Sequence, residues 1–313
     1  MAERCLLLFT GGLDTLLAAR LLQAQGIEVR ALHVANVLGC GAKRAVAAAE
    51  SLGIVCESVP VPADGVAWLR AAWPEVAHGP NPCVRCRTEM LLAARERLAH
   101  EREWIATGEV VGQRPGQSRK DLATAAHRAG LDGRVLRPLS ARLLPATIAE
   151  QESRIDRSRL LGLSGRARKG QLEWAAKLGV NSPAPLPGCP LDRAEIAEQV
   201  GVLLTDPAMN SPERFELLGV GRQFHFDDGA HVILGRNADE NATLAEWRGR
   251  AADRVSRLLV PEGFTGPTAL ILGPGDAAVV HAAGLLHRFA RLGDSERWAR
   301  LLPANEQIRI ASE

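Results

Sequence analysis

Cys5-Leu6-Leu7-Leu8-Phe9-Thr10-Gly11-Gly12-Leu13-Asp14-Thr15 decides the fold of this chain. Its first five residues are an unbroken apolar run of strand length, and the residues after Leu13 carry apolar side chains at helical spacing through Gln25. Between them, two glycines allow a tight turn and let the backbone approach a ligand closely. Amides and hydroxyls at the head of a helix suit an oxyanion. Taken alone, the same residues also fit a plain strand–turn–helix in which Asp14 or Thr15 caps the helix.

Working outward, short apolar runs alternate with helix-period segments through the first half of the chain. The pattern predicts strands at Arg4–Phe9, Glu28–Val34, Ile54–Val59, Trp104–Thr107 and Arg134–Leu136, and helices at Asp14–Gln25, Lys43–Leu52, Cys86–His100 and Ser118–Ala129. Such alternation is the signature of an α/β, doubly wound, mostly parallel sheet. Between Ser182 and Pro190 the pattern stops, because four prolines in nine residues can neither donate ladder hydrogen bonds nor continue a helix. A helical stretch at Leu191–Leu204 follows. After it come strands near Gln223–Phe226, His231–Leu234 and Ala269–Leu272 with helices at Asp239–Arg248 and Gly275–Leu292, the mark of a second, smaller α+β domain. The expected division is 1–190, a helical linker 191–218, and 219–313.

A chain of 313 residues accommodates two such domains, and 46% apolar with 24% charged residues is ordinary for a globular enzyme. No apolar run reaches membrane-spanning length. Met1-Ala2-Glu3-Arg4 leads directly into an apolar strand with no secretory-signal pattern, so a cytoplasmic address is expected. The net charge of +2 requires any RNA contact to come from a local basic surface. With no Tyr, six Phe and six Trp, an aromatic platform for successive unpaired bases is disfavoured.

Six cysteines are too few for a disulfide scaffold in a chain of this size, so their spacing carries the information. In Asn81-Pro82-Cys83-Val84-Arg85-Cys86 a two-residue gap lets both sulfurs face one point, as a metal, a cluster or a redox pair requires. There is no second such pair. Cys189, in Pro187-Gly188-Cys189-Pro190, makes a three-cysteine grouping the natural one, whereas Cys5, Cys40 and Cys56 sit in or beside apolar elements as small core residues.

Thr10-Gly11-Gly12-Leu13-Asp14-Thr15 resembles the S-G-G-x-D-S signature of PP-loop ATP pyrophosphatases, which have an adenine nucleotide alpha hydrolase-like fold; threonine replaces both serines and keeps each hydroxyl. The resemblance implies ATP as a ligand and assigns Asp14 to organising ATP and its Mg2+. Ile105-Ala106-Thr107-Gly108-Glu109-Val110-Val111-Gly112-Gln113-Arg114-Pro115 resembles the family segment that closes over the nucleotide, with Thr107, Gly108, Gln113 and Arg114 as its contacts. Arg137-Pro138-Leu139-Ser140 and Ser164-Gly165-Arg166-Ala167-Arg168-Lys169 also resemble family blocks. Arg166, Arg168 and Lys169 would neutralise phosphate on ATP or on an RNA backbone, or form a solvated basic helix start.

The cysteine segment is similar to that of tRNA thiouridylases of the 2-thiouridine and 4-thiouridine types. In that comparison Cys86 matches the first catalytic cysteine and Cys189 the second, and Cys83 stands where relatives have aspartate or cysteine. Relatives with three cysteines bind a [4Fe-4S] cluster with one iron open to sulfur; others work through a cysteine persulfide. The resemblance implies an ATP-dependent sulfurtransferase acting on a tRNA uridine, with sulfur from a donor protein or inorganic sulfide, and Cys83, Cys86 and Cys189 as candidate metal ligands. Gly219–Phe224 and His231–Asn241 resemble the RNA-binding domain of NFACT proteins, which makes Arg222, Arg236 and Asn237 candidate RNA contacts; Asn237 and Asn241 equally suit a turn and a helix cap. The rival functions are a PP-loop enzyme that thiolates or amidates a small metabolite, and a catalytically silent RNA-binding protein.

Overall fold

The structure, a computed structural model, describes residues 3–35, 42–60, 69–70, 73, 83–100, 102–114, 116–181, 183, 194–205, 212–251, 255–273, 275–290 and 297–310. They fall into two compact units, 1–212 and 213–313.

The first unit is built on five strands, β1 (Arg4–Leu8), β2 (Glu28–Ala35), β3 (Cys56–Pro60), β4 (Trp104–Thr107) and β5 (Val135–Leu136), all paired in parallel in the order β3-β2-β1-β4-β5. The chain runs outward from β1 to β3 and then returns to the other side of β1. The direction therefore reverses between β1 and β4, and at such a switch point the loops leaving the strand ends diverge and open a crevice.

Residues alternate between the two faces of the sheet. Cys5, Leu7, Val29, Ala31 and Ala106 join one buried cluster with Leu16 and Leu17 of α1 (Leu13–Gln23) and Ala45 and Ala49 of α2 (Ala42–Glu50). Leu6, Leu32 and Ile105, all fully buried, lie at the alternate positions, where α3 (Cys83–Arg95) packs on β1 and β2 and against α4 (Arg119–Arg128). Burial on both faces is why these strands are continuous apolar runs in the sequence.

The α/β expectation holds, and the element boundaries shift for local reasons. Ser118 lies outside α4 as its N-cap, accepting from the Asp121 amide in a reciprocal capping box. α3 begins at Cys83, three residues before the sequence pattern placed it, and ends at Arg95. A proline just ahead of a helix sacrifices no hydrogen bond, because first-turn amides have no intrahelical acceptor. One helix was not expected, α5 (Ile148–Gln151), while α6 (Lys169–Leu178) starts where the basic cluster allowed a helix start and is closed by Gly179 in the left-handed conformation. The stretch expected to be a linker contains α7 (Ala194–Thr205) and α8 (Pro212–Phe215), and α7 falls within the first unit.

The second unit is a six-stranded antiparallel sheet in the order β11-β10-β8-β9-β7-β6, from β6 (Arg222–His225), β7 (His231–Leu234), β8 (Arg257–Glu262), β9 (Ala269–Leu272), β10 (Arg297–Leu302) and β11 (Glu306–Ile310). Helices α9 (Ala238–Arg250) and α10 (Ala277–Ala290) bury Leu244 and Trp247, and Val279, Ala282 and Leu286, in two clusters against it. Three of the six strands, β8, β10 and β11, were not anticipated. Pro261 argues against a strand, yet it is tolerated because β9 pairs with β8 only through Leu259, so at Pro261 the one neighbour is β10. Among the described residues no helix is long and apolar enough to cross a membrane.

One buried hydroxyl joins three segments of the first unit. Ser140, fully buried, donates to the Leu163 carbonyl at 2.7 Å and accepts from the Val111 amide at 3.0 Å. Ser140→Ala removes this partner from the part-buried Val111 amide and Leu163 carbonyl, and is expected to lower the stability of the first unit by about 1 kcal/mol. Urea unfolding followed by circular dichroism checks this; an unchanged midpoint would show that the hydroxyl is dispensable.

Candidate functional site

The loop after β1 is fixed from both sides. The Phe9 amide donates to Leu32 O at 2.8 Å, and the buried His33 donates from Nδ1 to Phe9 O at 3.0 Å; a carbonyl can only accept, so this nitrogen carries the proton. Gly11 has φ +70°, and a Cβ there would lie 3.0 Å from Arg44 O and 3.1 Å from Ala45 Cα, so both the turn and the approach of α2 require glycine. Gly12 is the N-cap of α1 and has no side chain to cap it; its carbonyl accepts from the amides of Thr15 and Leu16 and from Thr15 Oγ1 at 2.9 Å. Neither Asp14 nor Thr15 caps the helix. The first amides of α1 are thus presented to an external acceptor at the positive end of the helix dipole. Exposed Thr10 reaches back to the Gly12 amide at 3.4 Å.

Asp14 lies one turn into this helix. Gln113 Nε2 donates to its Oδ2 at 3.0 Å, while Oδ1 is buried with no donor. Burial pushes the Asp14 carboxyl above its ordinary range; the Gln113 bond, the charges of Arg168 and Arg114, and Gln171 pull it down without cancelling that effect. A buried carboxylate oxygen with no donor, among amides and guanidiniums, is suited to a cation shared with an anionic ligand.

The loop after β4 packs directly on this head of α1. A Cβ at Gly108 would stand 2.8 Å from both Asp14 C and Thr15 N, so nothing larger than glycine fits. Next to it, Glu109 is held between two buried guanidiniums: it is ion-paired to Arg87 and accepts from Arg137 Nε at 2.9 Å, while Thr107 Oγ1 donates to it at 3.0 Å. Burial opposes the charge of Glu109, but Arg87 and Arg137 outweigh it and hold the carboxyl below the usual glutamate range. Thr107, expected at the nucleotide, thus supports the loop through Glu109. Beyond it the chain forms a compact double turn, with Gly112 N bonded to Gln117 O at 2.8 Å, Gln117 N to Arg114 O at 3.1 Å and Arg114 N to Gln117 Oε1 at 3.1 Å.

The structure brings the paired cysteines to this loop. Cys83 and Cys86, both half-buried, occupy the first turn of α3 three residues apart, on one helical face. A Cβ on Gly116 would meet Cys83 Cβ at 2.8 Å. Cys189 and Cys40 lie outside the described residues, and among the described residues no three His, Cys, Asp or Glu side chains are grouped to hold a metal ion. Cys5 is fully buried in the core, as expected, and Cys56 is half-buried at the core's edge.

The basic candidates separate by surroundings. Arg168 acts electrostatically on Asp14, whereas Arg166 and Lys169 are exposed at the start of α6. In the second unit Asn237 caps α9 by accepting from the Glu240 amide at 2.9 Å, and Arg236 is chelated by Glu240 and donates to Gly219 O at 2.8 Å. Asn241 takes the structural role, accepting from the Thr268 amide at 3.0 Å. Arg222 is exposed, its guanidinium 5.0 Å from the Phe289 ring centre. Arg87, Glu109, Gln171 and His33 were not among the sequence-derived site residues, although Glu109 lies inside the quoted loop block and Arg87 directly follows Cys86.

These elements define a doubly wound α/β domain with a glycine-lined loop at its topological switch point, followed by a smaller α+β unit. No family model matches the chain, and no curated protein does. Among solved structures it is similar to a protein described as a predicted subunit of tRNA methyltransferase from Methanocaldococcus jannaschii, at 15% identity and a TM-score of 0.38, over 56% of this chain and 76% of the other. It is also similar to NMN synthetase from Francisella tularensis, at 13% identity and a TM-score of 0.27, over 60% of this chain and 90% of the other. At these values the likeness carries no argument about activity.

The raised Asp14 pKa has a consequence for stability. A carboxyl whose folded pKa exceeds its unfolded value contributes stability below the unfolded pKa and loses it as pH rises through the folded one, so ionised Asp14 weakens the fold at neutral pH. Asp14→Asn is therefore expected to raise the urea midpoint at pH 7, by an amount that shrinks as pH falls into the carboxylate range. Gly108→Ala is expected to lower the midpoint, because the added methyl displaces the head of α1. Unfolding curves across pH check both; a destabilised Asp14→Asn, or an unchanged midpoint in Gly108→Ala, would contradict this account of the loop.

Proposed function

We propose that this chain is an ATP-dependent sulfurtransferase that adenylates a carbonyl oxygen of a tRNA uridine and replaces it with sulfur, releasing AMP and pyrophosphate. The observation that carries the proposal is a packing arrangement: the head of α1, part-buried Asp14 and the Gly108 loop pack together, and the first turn of α3 touches the continuation of that loop where Gly116 approaches Cys83.

In this mechanism the amides of Gly11 to Asp14 receive the β- and γ-phosphates, and Arg114 and Arg168 add positive charge. The uridine oxygen attacks the α-phosphorus and the bond to the β-phosphate breaks, so pyrophosphate departs into a preorganised set of donors. Adenylation turns a poor leaving group into a good one. Sulfur then attacks the ring carbon and AMP leaves with the former carbonyl oxygen. Magnesium fits beside Asp14, whose Oδ1 has no donor, and would supply neutralisation of phosphate charge.

Sulfur delivery is assigned to Cys86 with Cys83 and Cys189. The helical spacing of the first pair suits two ligands of a [4Fe-4S] cluster, with Cys189 as the third and one iron left for exogenous sulfur; the alternative is a persulfide relay through Cys86 and Cys189. The second unit is assigned to tRNA contact, with exposed Arg222 as a candidate basic contact.

Pyrophosphate release should require tRNA, and Gly12→Val should lower it by about 100-fold or more with the circular dichroism spectrum intact. Release stimulated by a small metabolite and indifferent to tRNA would transfer the reaction to the metabolite. Anaerobically purified protein should contain iron and acid-labile sulfide and lose both in Cys83→Ser. Iron-free parent protein with a fully active Cys83→Ser would leave the persulfide relay.

A further inference from the structure

Arg87 belongs to the cysteine helix but spends its hydrogen bonds on the nucleotide loop. Its guanidinium pairs with Glu109, donates from Nη1 to Gly116 O at 2.5 Å, and reaches Cys83 O one helical turn back at 3.4 Å. Glu109 cannot follow it freely, because Arg137 holds the same carboxylate and is itself tied to Leu122 O at 3.2 Å. One end of the link is therefore anchored in the scaffold of β5 and α4, and the other in the first turn of α3.

A second contact runs in parallel with the first. Gly116 has φ +67°, and its Cα lies so close to Cys83 that a methyl group there would sit 2.8 Å from Cys83 Cβ. Hydrogen bonds tie Gly112 and Arg114 to Gln117, and Gln113 to Val110. At the far end Gln113 donates to Asp14. A continuous set of polar and steric contacts thus runs from Asp14 through Gln113 and Gly116 to Cys83, with Arg87 and Glu109 as its fixed side.

We infer that Arg87 and Glu109 are positioning residues that set the Cys83–Cys86 turn against the nucleotide loop, so that a nucleotide at Asp14 changes the exposure of these two thiols. The inference rests on the ATP reading of the site. Its physical basis is the stiffness of a buried, doubly paired carboxylate: breaking one arm leaves a buried charge uncompensated, so the contacts shift together or not at all. Sulfur chemistry would then be exposed only once the carbonyl had somewhere to be activated.

The test uses the full chain and the probe α,β-methylene-ATP with Mg2+, which cannot be cleaved at the relevant bond. Probe affinity is measured by calorimetry, and alkylation of Cys83 and Cys86 by iodoacetamide is followed by peptide mass spectrometry with and without saturating probe. The wild type is expected to show a change of about fivefold or more in alkylation rate at one or both cysteines on probe binding. Arg87→Lys, which keeps the charge but loses the fork, is expected to bind the probe with an affinity within about threefold of wild type and to lose that change; Glu109→Gln is expected to lose it too, its ratio being read at saturating probe. Gly116→Ala, which sets a methyl against Cys83 and strains a backbone at φ +67°, is expected to alter Cys83 alkylation in the absence of probe. A merely structural role would shift the rates equally with and without probe, so the ratio is the deciding quantity. Normal probe binding by the wild type with no change in alkylation overturns the inference, as does a full change retained in both Arg87→Lys and Glu109→Gln. Failure of the wild type to bind the probe overturns the ATP reading itself, and the calorimetry separates that result from the others.

Discussion

A methyl group does not fit between residue 108 and the head of α1, and the rest of the site depends on that constraint. Because Gly108 touches the Asp14–Thr15 backbone, the loop after β4 and the loop after β1 form one surface at the switch point. Everything beyond it inherits this placement: Glu109 meets Arg87 and Arg137, Gln113 reaches Asp14, and Gly116 comes to rest on Cys83. The glycines at 11 and 12 shape the turn, but the glycine at 108 decides what faces it.

Two carboxylates within this surface are treated in opposite ways. Asp14 is part-buried with too little compensation, and its pKa rises; Glu109 is part-buried between two guanidiniums, and its pKa falls. Desolvation is the largest influence on both, so the number of paired cations decides the direction. Glu109 is thereby a permanently charged strut, whereas Asp14 is held at a cost that a cation would relieve. Perturbations of the second kind collect at functional sites because the fold gains nothing from them.

The alternation of apolar runs and helical spacing was enough to locate the parallel sheet, because strands buried on both faces are written continuously in the chain. Cys5 to Thr15 located the strand, the turn and the head of α1 for the same local reason. What remained hidden was non-local. The pairing of Arg87 with Glu109 joins residues that only the return of the chain to β4 brings together, and nothing in either segment marks the other. Strands β10 and β11 carry two arginines, a tryptophan, a glutamine and a glutamate on their exposed positions, so their apolar faces are only half-written. The start of α3 was misplaced because prolines ahead of Cys83 resemble a loop until the pairing needs of a helix's first turn are counted.

The chain presents amides, not side chains, at the head of α1, and this affects how its sequence can vary. Thr15 turns its hydroxyl inward to Gly12 O and Thr10 reaches only the Gly12 amide, so serine or threonine serves equally at both positions. Recognition by backbone groups leaves little trace in side-chain identity and a strong one in shape. A saturation library over residues 10–15 would therefore show broad tolerance at residue 10, apolar residues at buried position 13, small hydroxyl residues at 15, and intolerance at Gly11, Gly12 and Asp14, and a barcode of that form, more than any consensus string, would identify distant chains that use the same loop.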